Sequence, residues 1–138
     1  MSQEDCIFCS IINGKIPSSK VYEDNSVLAF LDIAPFNRGH TIVVPKQHYN
    51  NILDFPDKEI SEFFIDVKKI AGLVKKGLNA DGFNILQNNF PAAGQVVNHM
   101  HYHIIPRWNT DKIPQYGVTK NKATIEELTE VLNKIKNG

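Results

Sequence analysis

Long apolar runs, an excess of either charge and a framework of cysteines are all missing from this 138-residue chain. No window approaches the roughly 20 apolar residues of a membrane-spanning helix, and no basic start precedes an apolar stretch. The expectation is a cytoplasmic protein without a membrane partner. Lysine plus arginine equals aspartate plus glutamate at 15 each, and neither sign forms a long run. That balance excludes the electrostatic footprint of a protein that binds nucleic acid or a membrane surface, and it favours a small ligand. Only two cysteines occur, Cys6 and Cys9, too close for a disulfide framework and expected to stay reduced in a cytoplasmic setting. They read as a metal pair, a redox pair or buried thiols. No internal repeat, low-complexity segment or Gly/Ser-rich linker divides the chain. One domain over residues 1–138 is expected, large enough for an ordinary core.

What is present alternates in type. Asp5 is placed to cap a short helix carrying Ile7, Phe8, Ile11 and Ile12, ended by Gly14 and Pro17. Strands are predicted over 20–23 and 27–33, joined by the Asp24-Asn25-Ser26 turn, and over 40–44, stopping at Pro45. Ile60, Phe63, Phe64, Val67, Ile70, Ala71, Val74 and Leu78 keep the spacing of an amphipathic helix from about Asp57 to about Gly77. A strand over 83–87, a loop over 88–94 and a strand over 96–105 follow. Thr124 and Glu127 form a capping-box signature ahead of a last helix within a tail that starts near residue 109. The sum is an α+β domain, mainly antiparallel, with its helices on one sheet face.

The strongest functional signal is His99-Met100-His101-Tyr102-His103-Ile104-Ile105, which places three of the chain's five histidines on alternate positions. On a strand these imidazoles share one face while Met100, Tyr102 and Ile104 enter the core. The competing reading is an ordinary polar strand side. The outer two histidines stand roughly 13 Å apart along such a strand. Zinc needs every imidazole nitrogen about 2.0–2.1 Å away, so a single three-histidine chelate is excluded. An end histidine can instead join Cys6, Cys9 and His48 in a tetrahedral Cys₂His₂ set, leaving the other two free for chemistry.

The run Gly94-Gln95-Val96-Val97-Asn98-His99-Met100-His101-Tyr102-His103-Ile104-Ile105-Pro106-Arg107 resembles the histidine triad superfamily, whose signature is His-φ-His-φ-His-φ-φ with φ apolar. Cys6 to Cys9, Val27 to Ile33, Gly39 to His48, and Asn88 ahead of Gly94-Gln95 resemble the other blocks of that family, in order. The likeness runs from about Cys6 to Arg107, and the cysteine pair is similar to that of zinc-bearing, Hint-like members. It implies a nucleotide hydrolase or transferase acting at an α-phosphate, with a purine nucleotide substrate, a homodimeric state and no organic cofactor. His101 would be the nucleophile, with His103 and His40 on the phosphate oxygens. Asp32 would hold the ribose hydroxyls and Ile33 would line the base pocket, while Asn88, Gly94, Gln95 and Val96 would lie near the phosphate or leaving group. Cys6, Cys9, His48 and His99 would hold structural zinc.

One position departs from the pattern. Many members carry serine or threonine after the Gly-Gln pair, and here Val96 keeps the backbone N–H but offers no hydroxyl. Weaker proton assistance to a departing amine is expected. Because Ile104-Ile105-Pro106-Arg107 looks equally like the dinucleoside-polyphosphate branch, phosphoramidate and dinucleoside polyphosphate cleavage both remain open. So does a non-catalytic nucleotide-binding or scaffolding role.

Overall fold

The computed structural model describes residues 5–115 and 121–138. Its elements are α1 (Ile7–Ile12), β1 (Lys20–Glu23), β2 (Val27–Leu31), β3 (Thr41–Pro45), α2 (Asp57–Gly77), β4 (Gly82–Leu86), β5 (Tyr102–Arg107) and α3 (Ile125–Asn137). The strands form one antiparallel sheet in the order β1-β2-β3-β5-β4, which puts β5 between two partners. The mixed, mainly antiparallel class expected from the sequence is the one observed.

The helices do not share one sheet face as expected. Val27, Ala29, Val43 and Ile104 pack with Phe63, Val67, Ile70, Ala71 and Val74 of α2. Leu28, Phe30, Ile42 and Val44 pack instead with Cys6, Phe8, Cys9 and Ile11 on the other side. The physical reason is the unbroken apolar character of β2 and β3. Successive residues point to opposite faces, so each face presents side chains that need cover. α2 has the charge pattern that suits a helix dipole, with Asp57 and Glu59 in its first turn and Lys75 and Lys76 in its last. α3 carries the expected capping box between Thr124 and Glu127, and it buries none of its residues. Among the described residues, no helix is long and apolar enough to cross a membrane.

Two boundaries differ in ways that shape the site. The N-cap of α1 is Cys6, whose Sγ accepts from the Cys9 N–H at 3.3 Å, rather than Asp5. The thiol thus satisfies an orphan amide of the first turn. β5 begins at Tyr102 and not at Val96. Its pairing with β3 stops at Val43 opposite Tyr102, and the Met100 N–H turns to the Tyr49 carbonyl at 2.7 Å. His99, in a bend, and His101 therefore lie just ahead of the strand, outside the ladder.

Candidate active site

The register of β5 fixes which way its histidine points. His103 stands opposite Ile42 of β3 and Leu86 of β4, so it shares the α1 side of the sheet with Ile42. Met100 and Ile104 are fully buried on the α2 side, as the alternation required. The histidine side opens into a cavity of about 600 Å³ lined by His40, His101, His103, Asp32, Phe8 and Gly94, among others. Ile33, Asn88 and Val96 also border it. A second cavity, of about 710 Å³, lies over the start of α2 and is lined by Asp24, Glu59, Glu62 and Asp66 together with Lys46, so its charge is predominantly acidic.

Hydrogen bonding to the backbone fixes the ring tautomers. His101 Nδ1 is 2.7 Å from the His99 carbonyl, an obligate acceptor, so Nδ1 carries the proton and Nε2 keeps its lone pair. The Phe36 N–H donates to His40 Nδ1 at 3.0 Å, so neutral His40 carries its proton on Nε2. That proton is donated to His103 Nδ1 at 2.8 Å, which leaves His103 protonated on Nε2. Asp32 Oδ2 is 3.8 Å from His40 Nε2. The His101 and His103 rings meet edge to face with centroids 4.9 Å apart.

Burial sets the charge state. His40 and His101 are each 6% exposed. Desolvation pushes both below the ordinary imidazole range, with Asp32 pulling the other way. His103 is pushed down to about 4, mainly by burial and then by His101 and His40. Lowered in this way, the three rings are neutral at pH 7. His103 therefore presents a free Nε2–H, while the single N–H of His40 is spent on His103 Nδ1.

Cys6, Cys9, His48 and His99 bring their ligand atoms within 4.8 Å of one another. Cys6 Sγ is 3.4 Å and Cys9 Sγ 3.5 Å from His99 Nδ1, and Cys9 Sγ is 3.3 Å from His48 Nδ1. Zinc bonds of about 2.3 Å to sulfur and 2.0–2.1 Å to nitrogen give tetrahedral S···N edges of roughly 3.5 Å, so the donor set fits that ion. Each ring also donates its other N–H, His99 Nε2 to the Pro45 carbonyl at 2.8 Å and His48 Nε2 to Asn50 Oδ1 at 3.1 Å. Outer partners of that kind orient metal-binding imidazoles. Burial pushes His99 down to about 4 and pushes the Cys6 thiol up.

Gln95 is the one anticipated nucleotide-contacting residue whose side chain is turned elsewhere. Its Oε1 accepts from the Phe90 N–H at 2.7 Å, and its Nε2 donates to the Asn50 and Val97 carbonyls at 2.6 and 3.1 Å. Phe90 needs that hold, because it sits at φ 71°, ψ 152°, a region that almost only glycine enters. Such a conformation costs on the order of 1–3 kcal/mol. Gly94 at φ 93° completes the turn. Sequence reasoning missed Phe8, which sits between the two cysteines and packs edge-on against His101 with centroids 4.9 Å apart. It also missed Asn50, two residues beyond His48.

Known proteins and solved structures are similar to this chain over most of its length. Residues 13–110 match the HIT domain model. An uncharacterized HIT-like protein of Methanocaldococcus jannaschii is 53% identical over 132 residues, covering 95% of this chain and 98% of that protein. An adenosine 5'-monophosphoramidase of Schizosaccharomyces pombe is 38% identical over 135 residues, covering 95% and 98%. The crystal structure of SMU.412c from Streptococcus mutans superposes with a TM-score of 0.90 at 41% identity, covering 99% of this chain and 86% of that one. With the alternating histidines, the two-sided sheet and these matches in agreement, the chain belongs to the histidine triad, or HIT, family.

Proposed function

We propose that the protein is a nucleotide hydrolase that cleaves adenosine phosphoramidates or related purine nucleotidyl compounds at the α-phosphate, with His101 as the nucleophile. The observation that carries this reading is the 2.7 Å bond from His101 Nδ1 to the His99 carbonyl, which leaves Nε2 unprotonated beside the cavity. The lone pair attacks phosphorus, the P–N bond breaks as the nitrogen takes a proton from solvent, and the amine departs. Water then attacks the nucleotidyl-imidazole, which releases the nucleoside monophosphate and restores His101. Phosphoryl chemistry of this type depends mostly on positioning and electrostatics. The His103 Nε2–H, oriented by the bond from His40, and the backbone amides from Gly94 onward oppose the charge that grows on the phosphate oxygens.

Asp32 is assigned to the ribose hydroxyls and Ile33 to the base. Asn88, Gly94 and Val96 border the phosphate, and Gln95 acts there by shaping the loop. Cys6, Cys9, His48 and His99 hold a zinc ion whose contribution is structural, tying α1 to the approach to β5. The name of the S. pombe relative favours phosphoramidates over dinucleoside polyphosphates. The protein is read as a single domain, a homodimer and cytoplasmic. The decisive comparison is wild type against His101→Ala on a panel of adenosine phosphoramidates and dinucleoside polyphosphates. Turnover lost in the variant with nucleotide binding retained supports the hydrolase; wild-type turnover no higher than that of the variant leaves only a binding protein.

A further inference from the structure

The metal-binding cluster and the loop at the nucleotide cavity are joined by one chain of hydrogen bonds. His48 Nε2–H donates to Asn50 Oδ1 at 3.1 Å, and Asn98 Nδ2 donates to the same oxygen at 3.2 Å. The backbone carbonyl of Asn50 accepts from Gln95 Nε2 at 2.6 Å, and Gln95 Oε1 accepts from the Phe90 N–H at 2.7 Å. Phe90 is the left-handed residue that opens the turn ending at Gly94, which lines the cavity. Asn50 is thus the point where the second nitrogen of a metal-facing ring meets the segment that anchors the turn. A neutral His48 donates through Nε2 only while Nδ1 is the bare nitrogen, and metal ligation at Nδ1 enforces that tautomer.

We infer that Asn50 is a positioning residue, acting with Gln95, through which metal loading at Cys6, Cys9, His48 and His99 strengthens nucleotide binding at the loop over residues 90–96. The inference rests on the zinc and nucleotide readings above. A different route leads from the cluster to the nucleophile, since His99 also supplies the carbonyl that holds His101. The two routes separate by readout. Changes passed through His99 reach the attacking ring and alter kcat, whereas changes passed through Asn50 reach the loop and alter nucleotide affinity.

Linkage gives the test, because coupling between two sites is reciprocal. AMP affinity of the full chain is measured by calorimetry with zinc loaded and after chelation, and zinc affinity by chelator competition with and without AMP. Zinc removal should weaken AMP binding by about fivefold or more, and AMP withdrawal should weaken zinc binding by the same factor. In Asn50→Ala the zinc stoichiometry should persist while the coupling falls below about twofold, and Asn50→Asp, which keeps an acceptor, should restore it. Should chelation unfold the chain, zinc-loaded Asn50→Ala decides, by faster exchange of the Phe90 amide and weaker AMP binding, both reversed in Asn50→Asp. Zinc that binds while AMP affinity ignores it, or Asn50→Ala that behaves as wild type, overturns the inference alone. Absence of zinc binding overturns the cluster reading and this inference with it.

Discussion

Acidifying the metal-free protein should destabilise it well above the pH at which its carboxylates protonate. His99 is fully buried and held at about 4, against 6.5 for an unfolded histidine. Below pH 6.5 the unfolded chain binds a proton that the folded chain refuses, so stability is full above that value and falls as pH drops toward 4. Between pH 6.5 and pH 5 the gap opens by 1.5 units at about 1.36 kcal/mol each, or about 2 kcal/mol from His99. His103, held at about 4 for the same first cause, contributes up to as much again. Asp111, kept low by Arg107, and Glu23, held at about 2 by Lys46 and Lys20, stay ionised over this range. At roughly 3–5 °C per kcal/mol for a chain of this size, the loss of about 2 to 4 kcal/mol should lower Tm by roughly 6–20 °C from pH 7 to pH 5. Calorimetric melts in the presence of a chelator at constant ionic strength measure it. His99→Gln, which cannot take up the proton, should lose about 2 kcal/mol of the pH dependence. A Tm at pH 5 equal to that at pH 7, or a variant as pH-sensitive as wild type, would refute the buried-neutral account.

Other expectations follow from single contacts. Val96 is 92% exposed at the cavity rim, and Val96→Ser should raise phosphoramidate turnover by about tenfold by supplying a donor to the leaving nitrogen; unchanged turnover sinks that role. His40→Ala removes the N–H that holds His103 and should lower kcat by about 100-fold, measured at saturating substrate. Phe8→Ala deletes a ring that is 6% exposed and packed on Phe30 and His101, so denaturant titration should show a loss of about 3–5 kcal/mol.

The elements and most of the site were legible because they rest on local periodicity. The three-and-four spacing of α2 gave its bounds, and alternation gave the common face of the histidines. What was missed depends on contacts distant in sequence. The run Val27-Leu28-Ala29-Phe30 is buried along its whole length, which is the mark of a strand covered on both faces, and α1 supplies the second cover. Asp5 looked like the better cap, yet Cys6 takes the position because its sulfur already faces the Cys9 amide. Gln95 turns inward because Phe90 holds a left-handed backbone that no local propensity forecasts, and the carboxamide is what secures it. Asn50 gives no signal of its own; only the fold brings it between His48 and Gln95.

The central claim is that His101 carries the nucleotide during turnover. Rapid quenching of the protein with an adenosine phosphoramidate, followed by mass spectrometry of its peptides, measures this directly. An acid-labile adenylyl group is expected on the peptide containing His101, forming within the first turnover and absent in His101→Ala. Turnover without any such adduct, or the same adduct in the variant, would contradict it.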